Sequence, residues 1–124
     1  MSERYTIEEA NALIPEVARR MAALAELERA ASARLARGRR RARGNGHGGG
    51  LDRETADSLH AALEWFEEQG VQVRGTSPPL ADFPARYGGR DVLLCWTEGE
   101  ERIGWYHLPD EGFAGRRPLG ELTG

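Results

Sequence analysis

Residues 91–107, DVLLCWTEGEERIGWYH, decide the fold class of this 124-residue chain. Two runs rich in β-branched, aromatic and aliphatic side chains, 91–97 and 102–107, flank Glu98-Gly99-Glu100-Glu101, the composition of a β-hairpin. With a two- or four-residue loop, Trp96 pairs Ile103, Leu94 pairs Trp105 and Val92 pairs His107, and one face becomes almost wholly apolar. The other face then carries Leu93, Cys95, Thr97, Arg102, Gly104 and Tyr106. That register sets Cys95 and His107 on opposite faces, against a Cys–His dyad, and leaves Cys95 as a small packing residue beside Gly104.

Upstream the period is helical. Thr6 and Glu9 form a capping box that starts a helix at Ile7, and Pro15 predicts a kink or short break over 12–14. Ile14, Val17, Met21, Leu24, Glu28, Ala31 and Leu35 then follow at alternating spacings of three and four, a seam for lengthwise packing against a second helix. That partner begins after Asp52 as N-cap, presents Ala56, Leu59, Leu63 and Phe66, and ends at Gly70. Between them, residues 38–50, GRRRARGNGHGGG, combine like charges with glycine and offer nothing apolar to bury, so they read as a flexible connection. Val71 and Val73 suggest a short strand, and the three prolines of 76–84 predict a loop. The expected architecture is α+β: an antiparallel helical hairpin with a kinked first helix, packed with a small antiparallel sheet that contains the C-terminal hairpin. All 124 residues form one domain.

Glu28 is the one carboxylate in the apolar seam and must be paired, protonated or displaced to the helix edge. A turn midway through the glycine-rich stretch places His60 opposite it, which predicts a Glu28–His60 contact that sets the register of the two helices.

Net charge is −3, and every basic residue is arginine. Six of the 17 (Arg34, Arg37, Arg39, Arg40, Arg41 and Arg43) lie within ten residues, a basic tip on an acidic body. Phosphate contacts through that tip make a weak nucleic-acid binder one alternative, but no aromatic side chains interleave with the arginines to stack bases. Gly44-x-Gly46-x-x-Gly49 has the spelling of a dinucleotide-binding loop without the preceding strand that makes it work. One cysteine excludes an internal disulfide framework and fits a reducing, cytoplasmic setting. No stretch is long and apolar enough to span a membrane.

Tyr5-Thr6-Ile7-Glu8-Glu9-Ala10-Asn11-Ala12-Leu13-Ile14-Pro15, Asp82-Phe83-Pro84-Ala85-Arg86, Leu93-Leu94-Cys95-Trp96, and Tyr106-His107 with Glu111-Gly112-Phe113-Ala114-Gly115-Arg116-Arg117-Pro118 resemble the small bacterial family catalogued as domain of unknown function 2203. The resemblance implies that the helical pair and the C-terminal hairpin form one unit, and it carries over no catalytic residue.

For function, no constellation joins a nucleophile, a base and a third group, so a non-catalytic binding or interaction module is the first expectation. The alternative is a metal- or anion-dependent enzyme centred on His107 and nearby carboxylates, with Asp82 as partner of His107, Arg116 as anion clamp, and Asp110 and Glu111 close by. The sequence names no cofactor, metal or small-molecule ligand. Homodimerisation through the helices would cover their far sides.

Overall fold

The structure is a computed structural model that describes residues 4–45 and 52–123. Two helices, α1 (Ile7–Asn45) and α2 (Arg53–Gln69), precede a five-stranded sheet of β1 (Gln72–Thr76), β2 (Pro79–Tyr87), β3 (Arg90–Thr97), β4 (Trp105–His107) and β5 (Arg117–Pro118). The strands lie in chain order and every neighbouring pair is antiparallel. A 3₁₀ turn (Phe113–Gly115) and a short α3 (Gly120–Thr123) complete the chain. The fold is α+β, as the sequence predicts.

The local signals at the helix ends work as expected. The Thr6 hydroxyl accepts from the Glu9 amide at 3.0 Å, and the Glu9 carboxylate accepts from the Thr6 amide at 2.9 Å. Asp52 accepts from the Thr55 amide at 2.7 Å, and Gly70, at φ 73°, closes α2 in the left-handed conformation. Ile14, Val17, Met21, Leu24 and Ala31 are buried along α1. All of these but Ala31, together with Phe66 of α2, meet Ala81, Phe83, Ala85, Val92, Leu94, Trp96 and Tyr106, which all project from one face of the sheet. Both helices therefore cover the same sheet face, and the opposite face is free to build a site.

Several expectations need correction. Helix α1 runs through Pro15 without the break expected at 12–14, because the surrounding helix is anchored on both sides by buried seam residues. It also continues past Gly38 to Asn45, since arginine and alanine are strong helix formers that outweigh the two glycines, Gly38 and Gly44. The expected connection 38–50 is thus helical over its first part, and 46–50 lies outside the described residues.

The Glu28–His60 contact does not form. Glu28 is exposed and accepts from the Thr76 hydroxyl at the end of β1, while His60, on the outer side of α2, stands 3.5 Å from Glu64. The axial level was close, as Arg34 meets Asp52 and Thr55 and the Arg20 guanidinium lies 4.3 Å over Trp65. The angular placement differs because α1 divides its surface between α2 and the sheet, and Glu28 falls on the sheet side.

The loop expected at 76–84 is mostly strand β2. Pro84 is tolerated there because its carbonyl accepts from the Tyr5 amide, away from β3, so its nitrogen also faces that side and owes β3 no hydrogen bond. β1 begins at Gln72 opposite Asp82, so it stops short of Pro84. β2 and β3 are joined through Gly88 and Gly89, at φ 58° and 76°, a two-residue turn of the kind that matches strand twist.

The β3–β4 register also differs from expectation. Leu93 pairs His107, Leu94 pairs Tyr106 and Cys95 pairs Trp105, one residue away from the predicted alignment. The connection is longer than a tight loop: the Trp96 indole donates to the Glu100 carbonyl at 2.8 Å, and the Ile103 amide donates to the Asn11 side chain of α1 at 2.7 Å. Ile103 is thereby taken out of the ladder into the core, Tyr106 turns inward, and Cys95 and His107 share the outer face. Asn11→Ala, by removing the acceptor of that amide, is expected to destabilise the fold by about 1–3 kcal/mol. Urea denaturation followed by tryptophan fluorescence checks it, and an unchanged midpoint refutes the role given to Asn11.

Candidate functional site

On the sheet face turned away from the helices, Asp82 of β2 pairs across to Cys95 of β3, and His107 of β4 lies diagonally beyond. All three are buried, with 1%, 2% and 2% of their surface exposed. One ligating atom from each lies within 4.8 Å of the other two, a grouping of carboxylate, thiol and imidazole at the floor of a pocket of about 370 Å³. Strand alternation alone puts Asp82 and Cys95 side by side, and the shifted register adds His107.

Asp82 Oδ2 accepts from Arg74 Nε at 2.8 Å and lies 2.9 Å from His107 Nε2. Arg74 reaches it from a β-bulge: β1 pairs regularly through Val73, shifts, and resumes at Gly75, so Arg74 is the extra residue. A bulge re-aims a side chain in this manner. His107 Nδ1 lies 2.9 Å from the Leu108 carbonyl, which can only accept, so Nδ1 carries hydrogen and Nε2 is the nitrogen that faces the cluster.

Burial, and next the neighbouring Asp82 carboxylate, push the Cys95 thiol up to about 11, against the smaller opposing effect of the Arg116 guanidinium. Both ring nitrogens of His107 are engaged with Leu108 and Asp82, so the imidazole is not oriented to deprotonate the thiol. Nucleophilic catalysis by Cys95 has no support in this geometry.

The remaining residues singled out by the sequence divide into two groups. Asp110 and Glu111 line the pocket together with Arg74, Leu80, Pro109 and Phe113. Glu111 also braces its own loop: its carboxylate accepts from the Leu108 amide at 3.2 Å and from Arg117 at 2.9 Å, and these contacts, led by the amide, hold its pKa below the usual carboxylate range. Arg116 does not clamp the pocket. It is turned toward Glu100, with Nη2 at 3.1 and 3.0 Å from the two carboxylate oxygens, and its guanidinium lies 5.0 Å over Trp105 and 4.7 Å over Phe113. Arg116 thus fastens the 108–116 segment to the sheet. The reading from sequence passed over Arg74 and set Cys95 aside. An arginine directly before Gly75 in a short strand is a weak bulge signal, and Cys95 was obscured by the register error.

The sequence profile described as an uncharacterized conserved protein, DUF2203, matches residues 3–119, nearly the whole chain and every residue of the site. The chain belongs to this family. No curated protein and no solved structure matches it. In this DUF2203 chain the pocket and its buried cluster are therefore read from their own chemistry. Because the Cys95 thiol is buried and protonated far above neutral pH, its alkylation by iodoacetamide at pH 7.5 is expected to be about 100-fold slower or more than that of a free cysteine. Mass spectrometry of timed aliquots measures this, and labelling at the free-cysteine rate overturns it.

Proposed function

We propose that this protein binds one divalent transition-metal ion of the zinc class through Asp82, Cys95 and His107, with a fourth coordination position open to the pocket. The observation that carries the reading is the convergence of three chemically different ligand atoms within 4.8 Å at fully buried positions. Tetrahedral coordination at normal zinc–ligand lengths sets ligand atoms about 3.3–3.6 Å apart, so side-chain adjustments of about an ångström close the site. Further support comes from His107, whose Nδ1 hydrogen is directed to the Leu108 carbonyl. That is the outer contact that usually orients a metal-ligating imidazole. A mixed carboxylate, thiolate and imidazole set suits zinc and its neighbours better than magnesium or calcium, which prefer oxygen alone. Three protein ligands beside an open pocket resemble exchangeable rather than purely structural sites.

On this reading the protein is a binding module that holds its metal without a reaction of its own. The protein belongs in the cytoplasm on this reading, where Cys95 stays reduced, and no described helix is long and apolar enough to cross a membrane. Homodimerisation through the helices is a separate proposal supported by Leu63, 45% exposed on α2. A monomer mass in light scattering at high micromolar concentration would remove it.

Zinc titrated into metal-free protein is expected to bind at one equivalent by calorimetry and to raise the unfolding temperature. At a free concentration about 100 times Kd the stabilisation is about 2.7 kcal/mol. Metal has to displace the thiol proton of Cys95, so apparent affinity rises with pH throughout the range below about 11 and weakens as pH falls. Cys95→Ser and His107→Ala should each abolish stoichiometric binding, whereas His60→Ala should leave it intact. Equal binding by all these variants, or none by the native protein, refutes the proposal.

A further inference from the structure

Among the described residues Arg74 is the one guanidinium that lines the pocket, and its pairing with Asp82 does not exhaust its donors. Its Nε is committed to Asp82 and its Nη2 to Gln72, while Nη1 has no protein partner among the described residues. The side chain is half-exposed and stands beside the buried cluster. Leu80, Pro109 and Phe113 make the neighbouring wall apolar, with Phe113 half-exposed, and Asp110 and Glu111 add negative charge.

We infer that the pocket takes a small monocarboxylate with an apolar body, one carboxylate oxygen occupying the metal's open position and the other accepting from the Arg74 guanidinium. This rests on the metal reading above. Nη1 supplies a charge-assisted donor for the carboxylate oxygen that is not on the metal, so guanidinium and metal together clamp a single planar anion. A divalent ion with the Asp82 carboxylate and the Cys95 thiolate is neutral overall, so Arg74 is the charge that draws an anion, while Asp110 and Glu111 penalise each negative charge the ligand adds. A phosphate dianion would bring a second charge toward Asp110 and Glu111 with no further pocket-lining cation among the described residues to meet it. The apolar wall favours a hydrocarbon substituent on the acid over a polar one. About 370 Å³ is within the range of small-molecule sites.

The test uses the full chain loaded with Co²⁺, whose visible bands report its coordination and whose thiolate charge-transfer absorption reports Cys95. Benzoate is expected to shift the visible bands and saturate, acetate to cause the same shift at higher concentration, and inorganic phosphate to leave them unchanged. Arg74→Gln, titrated at cobalt saturation as read from its thiolate absorption, should raise the benzoate Kd about tenfold or more. Phe113→Ala should weaken benzoate while leaving acetate unaffected. Phosphate binding as tightly as benzoate, or an Arg74→Gln variant that binds benzoate like the native protein, overturns the inference. A normal Co²⁺ spectrum that no carboxylate moves overturns the carboxylate site alone, whereas no thiolate–cobalt absorption at all refutes the metal reading and this one with it.

Discussion

A single desolvated carboxylate organises the sheet. Asp82 is 1% exposed, and one of its oxygens takes a donor from Arg74 on β1 and faces the ring of His107 on β4. A carboxylate taken out of water is tolerable only with charged or strongly donating partners, so β1, β2 and β4 are held to one level by the need to satisfy that group. The bulge at Arg74 and the offset of His107 across β3 are the two backbone adjustments that meet it.

The two sheet faces consequently have different duties. One is packed by α1 and α2 through aliphatic and aromatic side chains and supplies the hydrophobic burial that stabilises the domain. The other carries the polar cluster and is roofed by the 108–116 segment in place of a helix. That segment is fastened by Arg116, held between Glu100 and two aromatic rings, and by the Glu111–Arg117 pair. A roof made of loop and ion pairs leaves a cavity where a packed helix would fill it.

Charge is divided with the same economy. Arg116 and Arg117 are consumed in holding the loop, so the pocket retains Arg74 as its cation, beside Asp82, Asp110 and Glu111. Every partner of the buried cluster is thus also a structural element, and ligand chemistry at the site is tied to the sheet register that creates it.

Signals that act over a few residues were legible in the chain itself. The Thr6–Glu9 box, the Asp52 cap, the Gly70 stop and the apolar spacing from Ile14 to Ala31 depend on local hydrogen bonds and helical period. The expectation that His107 lies near Asp82 rested on a register that put His107 on the apolar face with Val92 and Leu94, whereas the two meet on the opposite face. Strand β2 was hidden because Pro79 and Pro84 read as breakers, and only the stop of β1 at Gln72 and the Tyr5 amide explain why Pro84 fits. The Gly88-Gly89 turn was visible in the sequence and was missed. The β3–β4 register was decided by the tertiary structure, through a bond from Ile103 to Asn11, 92 residues away along the chain. A one-residue shift turns every side chain of a strand to the other face, so that distant hydrogen bond determined whether Cys95 and His107 meet.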